Sequence, residues 1–217
     1  MIKKAVIFDL DGTLLDTLED LADSLNYVME KYSCPVHTIE EVRGFVGNGI
    51  RNLVKRAVPA GTPPELAEEM YQCYIRYYKD HCMIKTKPYE GITAMLKSLR
   101  GSGIRTAVLS NKADSAVQEL TQSMFSGCFD LAMGAKDGIE LKPARAMMDI
   151  ALKELSVTAA DAVYVGDSDV DIQFARNSEM DCVSVTWGFR SRSLLIENGA
   201  SVLADSPDEL LECITRM

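Results

Sequence analysis

Four short apolar runs, rich in valine, recur along the chain, and each is bounded by polar residues or glycine. Runs of this kind are typical of strands in a parallel sheet that is covered on both faces. The runs are Ala5 to Phe8, Thr106 to Leu109, Ala162 to Val165 and Cys182 to Val185. Helical patterns separate the later runs, and they contain Met95, Leu96 and Leu99, then Ala116, Val117 and Leu120, then Met147, Met148, Ala151, Leu152 and Leu155. The alternation predicts an α/β fold with a doubly wound parallel sheet and right-handed crossovers.

After the first run the alternation stops, and only helical patterns occur until roughly residue 86. Apolar residues at spacings of three and four mark one face of a helix. Three such helices are predicted, with faces formed by Leu14, Leu18, Leu21, Leu25, Val28 and Tyr32, by Ile50, Leu53, Val54 and Ala57, and by Leu66, Met70, Tyr74 and Tyr77. We therefore predict a discontinuous α/β core of residues 1–15 and 87–217, and an inserted helical domain of residues 16–86.

Composition narrows the range of partners. The 217 residues carry a formal net charge of -9, which argues against a nucleic acid or an anionic membrane and leaves small molecules as the default. Six scattered cysteines and two histidines, without a CxxC pair, argue against a zinc site or a disulfide framework. The first apolar run is too short for a signal peptide or a membrane span. We expect a cytoplasmic protein, and the sequence leaves monomer and homodimer open.

Polar residues that follow the strands are the candidates for ligand binding, because ligands of open α/β sheets bind beyond the carboxyl ends of the strands. Asp9 and Asp11 follow the first strand and lie two residues apart on an extended segment. Their carboxylates can converge, and they repel each other unless a cation lies between them. Such a pair suits Mg²⁺, which prefers hard oxygen ligands. The alternative is a simple Asp-Gly turn that closes a hairpin.

Two further segments suggest phosphate binding. Ser110 and Asn111 follow the second strand and precede a helical pattern, so the serine is predicted as an N-cap and the helix N-terminus as a phosphate site. Lys142 precedes Pro143, which we predict at the first position of a helix. A lysine at that end opposes the helix dipole, and a bound phosphate would explain it. A solvated lysine is the alternative.

The third strand is followed by Gly166 and then by Asp167, Ser168, Asp169, Val170 and Asp171. Asp167 and Asp171 are four residues apart and are predicted to face the same way. A metal ion would relieve the repulsion between them. Ordinary acidic residues in a first helical turn are the alternative reading.

Together the segments DLDGT, SN, KP and GDSDVD, in this order, resemble the motifs of the haloacid dehalogenase (HAD) superfamily of phosphohydrolases. The resemblance covers essentially the whole chain, and it implies a HAD-like core with a helical cap domain inserted after the first strand. The segments VRGFVGNG, from Val42, and VTWGF, from Val185, look like the phosphoglycolate phosphatase branch. Arg145 departs from the proline that many relatives carry there, which bears on the subgroup and not on the chemistry.

The resemblance also implies roles for single residues. Asp9 is the nucleophile, and Asp11 is the acid that protonates the leaving oxygen and then the base that activates water. Mg²⁺ is held by Asp9, by the backbone carbonyl of Asp11 and by Asp167, and Asp171 orders its water shell. Ser110, Asn111 and Lys142 hold the phosphoryl oxygens. The remaining residues assigned to substrate binding are Thr13 in the core and Arg43, Gly47, Asn48 and Gly49 in the cap. For Gly47 to Gly49 the alternative is a simple turn and N-cap before the second cap helix.

A charge count accompanies this assignment. With four ionised aspartates, Mg²⁺ and Lys142, the site carries one net negative charge, and a proton on Asp11 makes it neutral. The predicted function is therefore Mg²⁺-dependent hydrolysis of a small phosphorylated metabolite, with phosphoglycolate the first candidate, through an aspartyl phosphate.

Three other functions compete with this prediction. A phosphosugar mutase of the β-phosphoglucomutase kind shares every motif, and a pyrophosphatase is a second enzyme alternative. A receiver-like phosphoacceptor domain also combines aspartates, a hydroxyl and a lysine, but its acceptor follows a middle strand and it has no helical insert. Dehydrogenases and nucleotide kinases are disfavoured, because no GxGxxG or GxxxxGK follows a strand.

Overall fold

The structure is a computed structural model that describes residues 3–47 and 49–217. The chain divides into two compact units, one of Met1–Leu15 with Pro88–Met217 and the other of Asp16–Lys87. The first unit carries the α/β sheet and the second is helical. These limits lie within one residue of the predicted domain limits.

The strands occur where the apolar runs predicted them, with four additions. Along the chain they are β1 (Ala5–Phe8), β2 (Leu15–Asp16), β3 (Lys87–Pro88), β4 (Arg105–Ala113), β5 (Leu131–Ala135), β6 (Ala162–Gly166), β7 (Asp181–Val185) and β8 (Leu203–Ala204). Six of them form a sheet in the order β5-β4-β1-β6-β7-β8, and every adjacent pair is parallel. The order extends in both directions from β1, so the predicted doubly wound sheet is confirmed.

The helices of the first unit are α5 (Ile92–Gly101), α6 (Asp114–Met124), α7 (Ala146–Glu154), α8 (Asp169–Asn177), α9 (Arg192–Glu197) and α10 (Pro207–Arg216). One face of the sheet packs against α7 and α8, where Ile7, Leu109 and Tyr164 belong to the same buried cluster as Met148 and Phe174. β1 and β6 are buried along their whole length. Because both strands are central, their run of apolar side chains has no solvent face, which is why their sequences do not alternate.

The helices of the second unit are α1 (Leu18–Lys31), α2 (Ile39–Phe45), α3 (Ile50–Ala57) and α4 (Pro64–His81). α1 packs against α4, and α4 also packs against α3. Asp20 in the first turn of α1 is buried, and its carboxylate accepts hydrogen bonds from the backbone N–H groups of Lys85 and Thr86 at 2.9–3.1 Å. This aspartate therefore fixes the end of the helical unit to its first helix.

Several details differ from the sequence predictions. α1 begins at Leu18, so Leu14 lies outside the helix whose face it was predicted to share. α2 was not predicted, since its seven residues bury only Val42 and so offer no apolar stripe. The predicted helix at Pro143 is wrong, because α7 begins at Ala146 and the peptide bond between Lys142 and Pro143 is cis.

Within residues 3–47 and 49–217, every helix falls short of the length and apolar character that crossing a membrane requires.

Candidate active site

The carboxyl ends of three neighbouring strands lie side by side. Phe8 in β1 is in register with Val108 in β4 and with Val165 in β6. The residues that follow these positions therefore emerge together at one edge of the sheet. The backbone N–H of Asp9 donates to the carbonyl of Val165 at 2.9 Å, so the pairing continues one residue beyond β1.

Asp9, Asp167 and Asp171 form a cluster of carboxylates at this edge, with one oxygen of each within 4.8 Å of the others. Burial and the charges of the other two aspartates raise the pKa of Asp9 to about 8, against the opposing effect of Lys142. Burial and the charge of Asp171 raise the pKa of Asp167 to about 7. Three carboxylates this close repel one another, and a bound cation would relieve that repulsion.

Lys142 reaches the same cluster, and its ammonium is buried. The Nζ atom donates to Asp9 Oδ1 at 2.8 Å, to Asp171 Oδ1 at 2.9 Å and to the hydroxyl of Tyr164 at 2.9 Å. Burial favours the neutral amine, but the two carboxylates outweigh it and raise the lysine pKa. Lys142 is therefore a fixed cation beside Asp9, and its role as a phosphate ligand stays a prediction.

Tyr164 is a member of the site that the sequence interpretation missed. Its hydroxyl accepts from Lys142 and donates to Asp171 Oδ1 at 2.8 Å, while its ring meets Phe174 edge-on at 5.1 Å. Burial and the nearby charge of Asp171 raise the phenol pKa well above its usual value, so the hydroxyl keeps its proton. A signal was available, because a buried tyrosine in an otherwise apolar strand needs a hydrogen-bond partner.

Asp171 occupies the third position of α8 and is fully buried. Its Oδ2 atom accepts from the backbone N–H of Ser168 at 3.1 Å and from the Ser168 hydroxyl at 2.6 Å, while Oδ1 faces Lys142 and Tyr164. Burial would raise the pKa of this carboxyl, but the four donors hold it below its usual range. Asp171 is thus an ionised anchor for Lys142.

Asp167 is held by its own set of donors. Thr13 donates its hydroxyl to Oδ1 at 3.2 Å, and the backbone N–H of Phe189 donates to Oδ2 at 2.7 Å. The segment around Gly188 passes so close to Asp167 that a Cβ atom there would overlap the aspartate side chain. Thr13 therefore supports Asp167, whereas the sequence resemblance assigned it to substrate binding.

Asp11 lies outside the carboxylate cluster, and its partner is Lys112. The Lys112 Nζ atom is 3.0 Å from Asp11 Oδ1 and 3.3 Å from Oδ2, with only 2% of the lysine side chain exposed. Lys112 was also missed from the sequence, although it stands only two residues after Ser110. This second lysine adds one positive charge that the predicted charge count of the site left out.

Comparisons with known proteins agree with this geometry. The family model of the haloacid dehalogenase-like hydrolases matches residues 6–185. The chain belongs to this family. It is 34% identical over 211 residues to a phosphoglycolate phosphatase of Pseudomonas savastanoi, covering 94% of this chain and 77% of the relative. It is 33% identical to a phosphoglycolate phosphatase of Neisseria meningitidis, with 91% of this chain and 86% of the relative covered.

Among solved structures, a protein of Lactobacillus delbrueckii superimposes with a TM-score of 0.96 at 40% identity, covering 100% of both chains. Its own assignment as a phosphoglycolate phosphatase is provisional. Family and relatives together identify this haloacid dehalogenase-like hydrolase as an enzyme of the phosphatase type. The predicted superfamily and fold class are therefore confirmed.

The hydrolase's donor atoms fit Mg²⁺. Asp9 and Asp167 offer carboxylate oxygens within 4.8 Å of each other, and burial together with the neighbouring carboxylates raises the pKa of each. Hard oxygen ligands in small number are what Mg²⁺ takes in proteins. Both oxygens of Asp171 already accept hydrogen bonds, and so do both oxygens of Asp167.

Ser110 and Asn111 both lie within β4, which extends to Ala113. Ser110 is therefore not the predicted N-cap, because α6 begins only at Asp114. The Asn111 amide donates to the carbonyl of Lys142 at 2.9 Å and accepts from its N–H at 2.8 Å. Asn111 thus positions the backbone of Lys142, while Ser110 is buried and its hydroxyl accepts from the N–H of Lys112 at 3.2 Å.

The remaining predicted substrate residues belong to the helical unit. Arg43 lies in α2 and pairs with Glu40 at 3.2 Å. Gly47 lies between α2 and α3, and Gly49 is the N-cap of α3. Asn48 lies outside the described residues. Substrate binding by these four residues stays a prediction.

Proposed function

We propose that this hydrolase is a Mg²⁺-dependent phosphomonoesterase that acts on a small phosphorylated metabolite, with phosphoglycolate as its substrate, through an aspartyl phosphate on Asp9. The observation that carries the proposal is the position of Asp9. It touches Lys142 and lies within the carboxylate cluster, and its side chain is 13% exposed, whereas those of Asp167 and Asp171 are at most 1% exposed. It is the carboxylate of the three that a substrate can reach.

In the first step, a carboxylate oxygen of Asp9 attacks phosphorus, and the bond between phosphorus and the ester oxygen breaks. Asp11 protonates the departing alkoxide. In the second step, Asp11 removes a proton from water, which attacks phosphorus and releases Asp9 and inorganic phosphate. Lys142 stabilises the charge that develops on the phosphoryl oxygens, because it is already fixed beside the attacking atom.

Mg²⁺ would be held by Asp9, Asp167 and the backbone carbonyl of Asp11. When bound, the ion supplies positive charge that offsets repulsion between the nucleophile and the phosphoryl group. Asp171 acts indirectly, by holding Lys142 and by ordering water around the ion.

The substrate assignment rests on the relatives, since the two curated proteins compared above are phosphoglycolate phosphatases. We further propose that nucleic acids and membranes are not partners, given the net charge of -9. The six cysteines are free thiols, which supports a cytoplasmic location. Monomer and homodimer both remain compatible with the proposal.

Release of inorganic phosphate tests the function directly. The screen covers phosphoglycolate, pyrophosphate and several sugar phosphates, with and without Mg²⁺, and includes β-glucose 1-phosphate with a bisphosphate primer to detect mutase activity. We expect hydrolysis of phosphoglycolate that requires Mg²⁺. Asp9→Asn should abolish turnover while the circular dichroism spectrum stays that of the wild type. A folded variant that keeps a tenth of the activity would refute the role of Asp9.

A further inference from the structure

We propose that Lys112 is a specificity-determining residue, which binds an anionic group on the leaving alcohol and so selects phosphate esters that carry a carboxylate near the ester oxygen. The proposal rests on the proposed function, because it takes Asp11 as the residue that meets the leaving oxygen. It adds a binding role for a lysine that no motif of the sequence interpretation included.

The first observation is that the ammonium of Lys112 is buried. Lys112 has 2% of its side chain exposed, and its ammonium faces the carboxylate of Asp11 at 3.0 and 3.3 Å. A buried ion pair contributes little to folding, because removing both charges from water offsets their attraction. Stability alone is therefore a weak reason for a lysine at this position.

The second observation is that each of the two buried lysines contacts a different reactive carboxylate. Lys142 contacts Asp9, the proposed nucleophile, and Lys112 contacts Asp11, the proposed acid and base. In phosphoryl transfer the attacking and leaving oxygens are roughly in line on opposite sides of phosphorus. Lys142 thus marks the side of attack, and Lys112 marks the side on which the alcohol departs.

The third observation is the distance between the Lys112 ammonium and the place of the ester oxygen. A general acid lies within about 3 Å of the atom that it protonates, and Lys112 lies 3.0 Å from Asp11. The ester oxygen therefore comes within roughly 6 Å of the ammonium, the sum of these two contacts. A carboxylate one carbon away from that oxygen can bridge the gap with a charge-assisted hydrogen bond. Esters of a 2-hydroxy acid have this layout, whereas simple alkyl esters lack the anion.

The experiment compares two substrates that differ only in the carboxylate, phosphoglycolate and ethyl phosphate. kcat/KM is measured for the wild type, for Lys112→Met and for Lys112→Arg, which keeps the charge. Lys3→Met is the matched control, because Lys3 is also a buried lysine paired with an aspartate, Asp181 at 2.6 Å, but at the opposite ends of the strands.

We expect the wild type to prefer phosphoglycolate, and Lys112→Met to reduce that preference at least tenfold. Lys112→Arg should keep part of the preference, and Lys3→Met all of it. Equal proportional losses for both substrates in Lys112→Met would overturn the inference, since Lys112 would then only position Asp11. If Lys112→Met does not fold, Lys112→Gln is compared in the same way. A wild type that hydrolyses both esters without preference also overturns the inference but leaves the phosphatase intact, whereas a wild type that hydrolyses no ester of the screen refutes the proposed function itself.

Discussion

Replacing Gly12 by alanine tests whether the backbone after β1 sets the position of Asp167. Gly12 has a φ of +84°, and an added Cβ atom would lie 2.7 Å from Asp167 Cγ and 2.9 Å from Oδ1. Real Cβ atoms do not approach other atoms so closely, so the aspartate must move. Gly103 is a suitable control, because its φ is +77° and nothing lies within 4 Å of the position that its Cβ would take.

The expected loss of stability has two causes, the positive φ of both glycines and the close contact that a Cβ would make at Gly12. A left-handed conformation costs an L-residue about 1–2 kcal/mol, and both variants bear that cost. Overpacking adds about 1–3 kcal/mol, which applies to Gly12→Ala alone. We expect Gly103→Ala to lose about 1–2 kcal/mol and Gly12→Ala about 2–5 kcal/mol, the sum of the two effects.

The assay has two readouts, the midpoint of urea unfolding by circular dichroism and the kcat/KM of phosphate release as a function of Mg²⁺. Gly103→Ala should keep wild-type activity. Gly12→Ala should require more Mg²⁺ and turn over more slowly, because Asp167 is displaced. If Gly12→Ala matches Gly103→Ala in both measurements, the proposed dependence of the metal ligand on a glycine at residue 12 is wrong.

Two further predictions concern the same cluster. Tyr164→Phe removes a buried hydroxyl that is hydrogen-bonded to Lys142 and Asp171, while the ring still packs on Phe174. A hydrogen bond to a charged group contributes about 1.5–3 kcal/mol, so kcat should fall by roughly 10- to 100-fold. An unchanged kcat in stopped assays would contradict this prediction. Mg²⁺ at about a hundred times its Kd should raise the unfolding free energy of the wild type by about 2.7 kcal/mol, and that of Asp167→Asn by much less. If thermal or urea unfolding shows the same increase in unfolding free energy for both proteins, the ion binds elsewhere.

Much of the fold was predictable because buried parallel strands have a simple signature. The runs at Ala5, Thr106 and Ala162 are apolar on both faces, and their carboxyl ends lie in register. Once three such strands are neighbours, the polar residues after them must share one edge of the sheet. The proximity of Asp9 to Asp167 follows from that rule, although more than a hundred residues separate them. Lys142 lies in the segment after β5, so its contact with Asp9 does not follow from the three runs.

Other parts of the fold carried no such signature. β8 has two residues, and β5 contains a glycine, so neither has the apolar run that identifies a strand. Gly134 in β5 is required by the close approach of the end of β4 and the start of α6, since a Cβ there would lie against the carbonyl of Lys112 and the backbone of Asp114. That contact is a property of the packed sheet and cannot be read from either strand alone.

The partners of individual site residues were harder to predict than their positions. Asn111 follows a strand that ends at the site, and an amide there could bind phosphate or backbone. In the structure the Asn111 amide is hydrogen-bonded to the main-chain N–H and carbonyl of Lys142, because β4 continues to Ala113 and the next helix, α6, begins only at Asp114. The same continuation keeps Lys112 within β4, where the register to β5 shifts between Leu109 and Ala113. The misjudged helix boundary therefore accounts for the wrong N-cap at Ser110 and for the omission of the lysine beside Asp11, whereas phosphate binding by Asn111 stays a prediction.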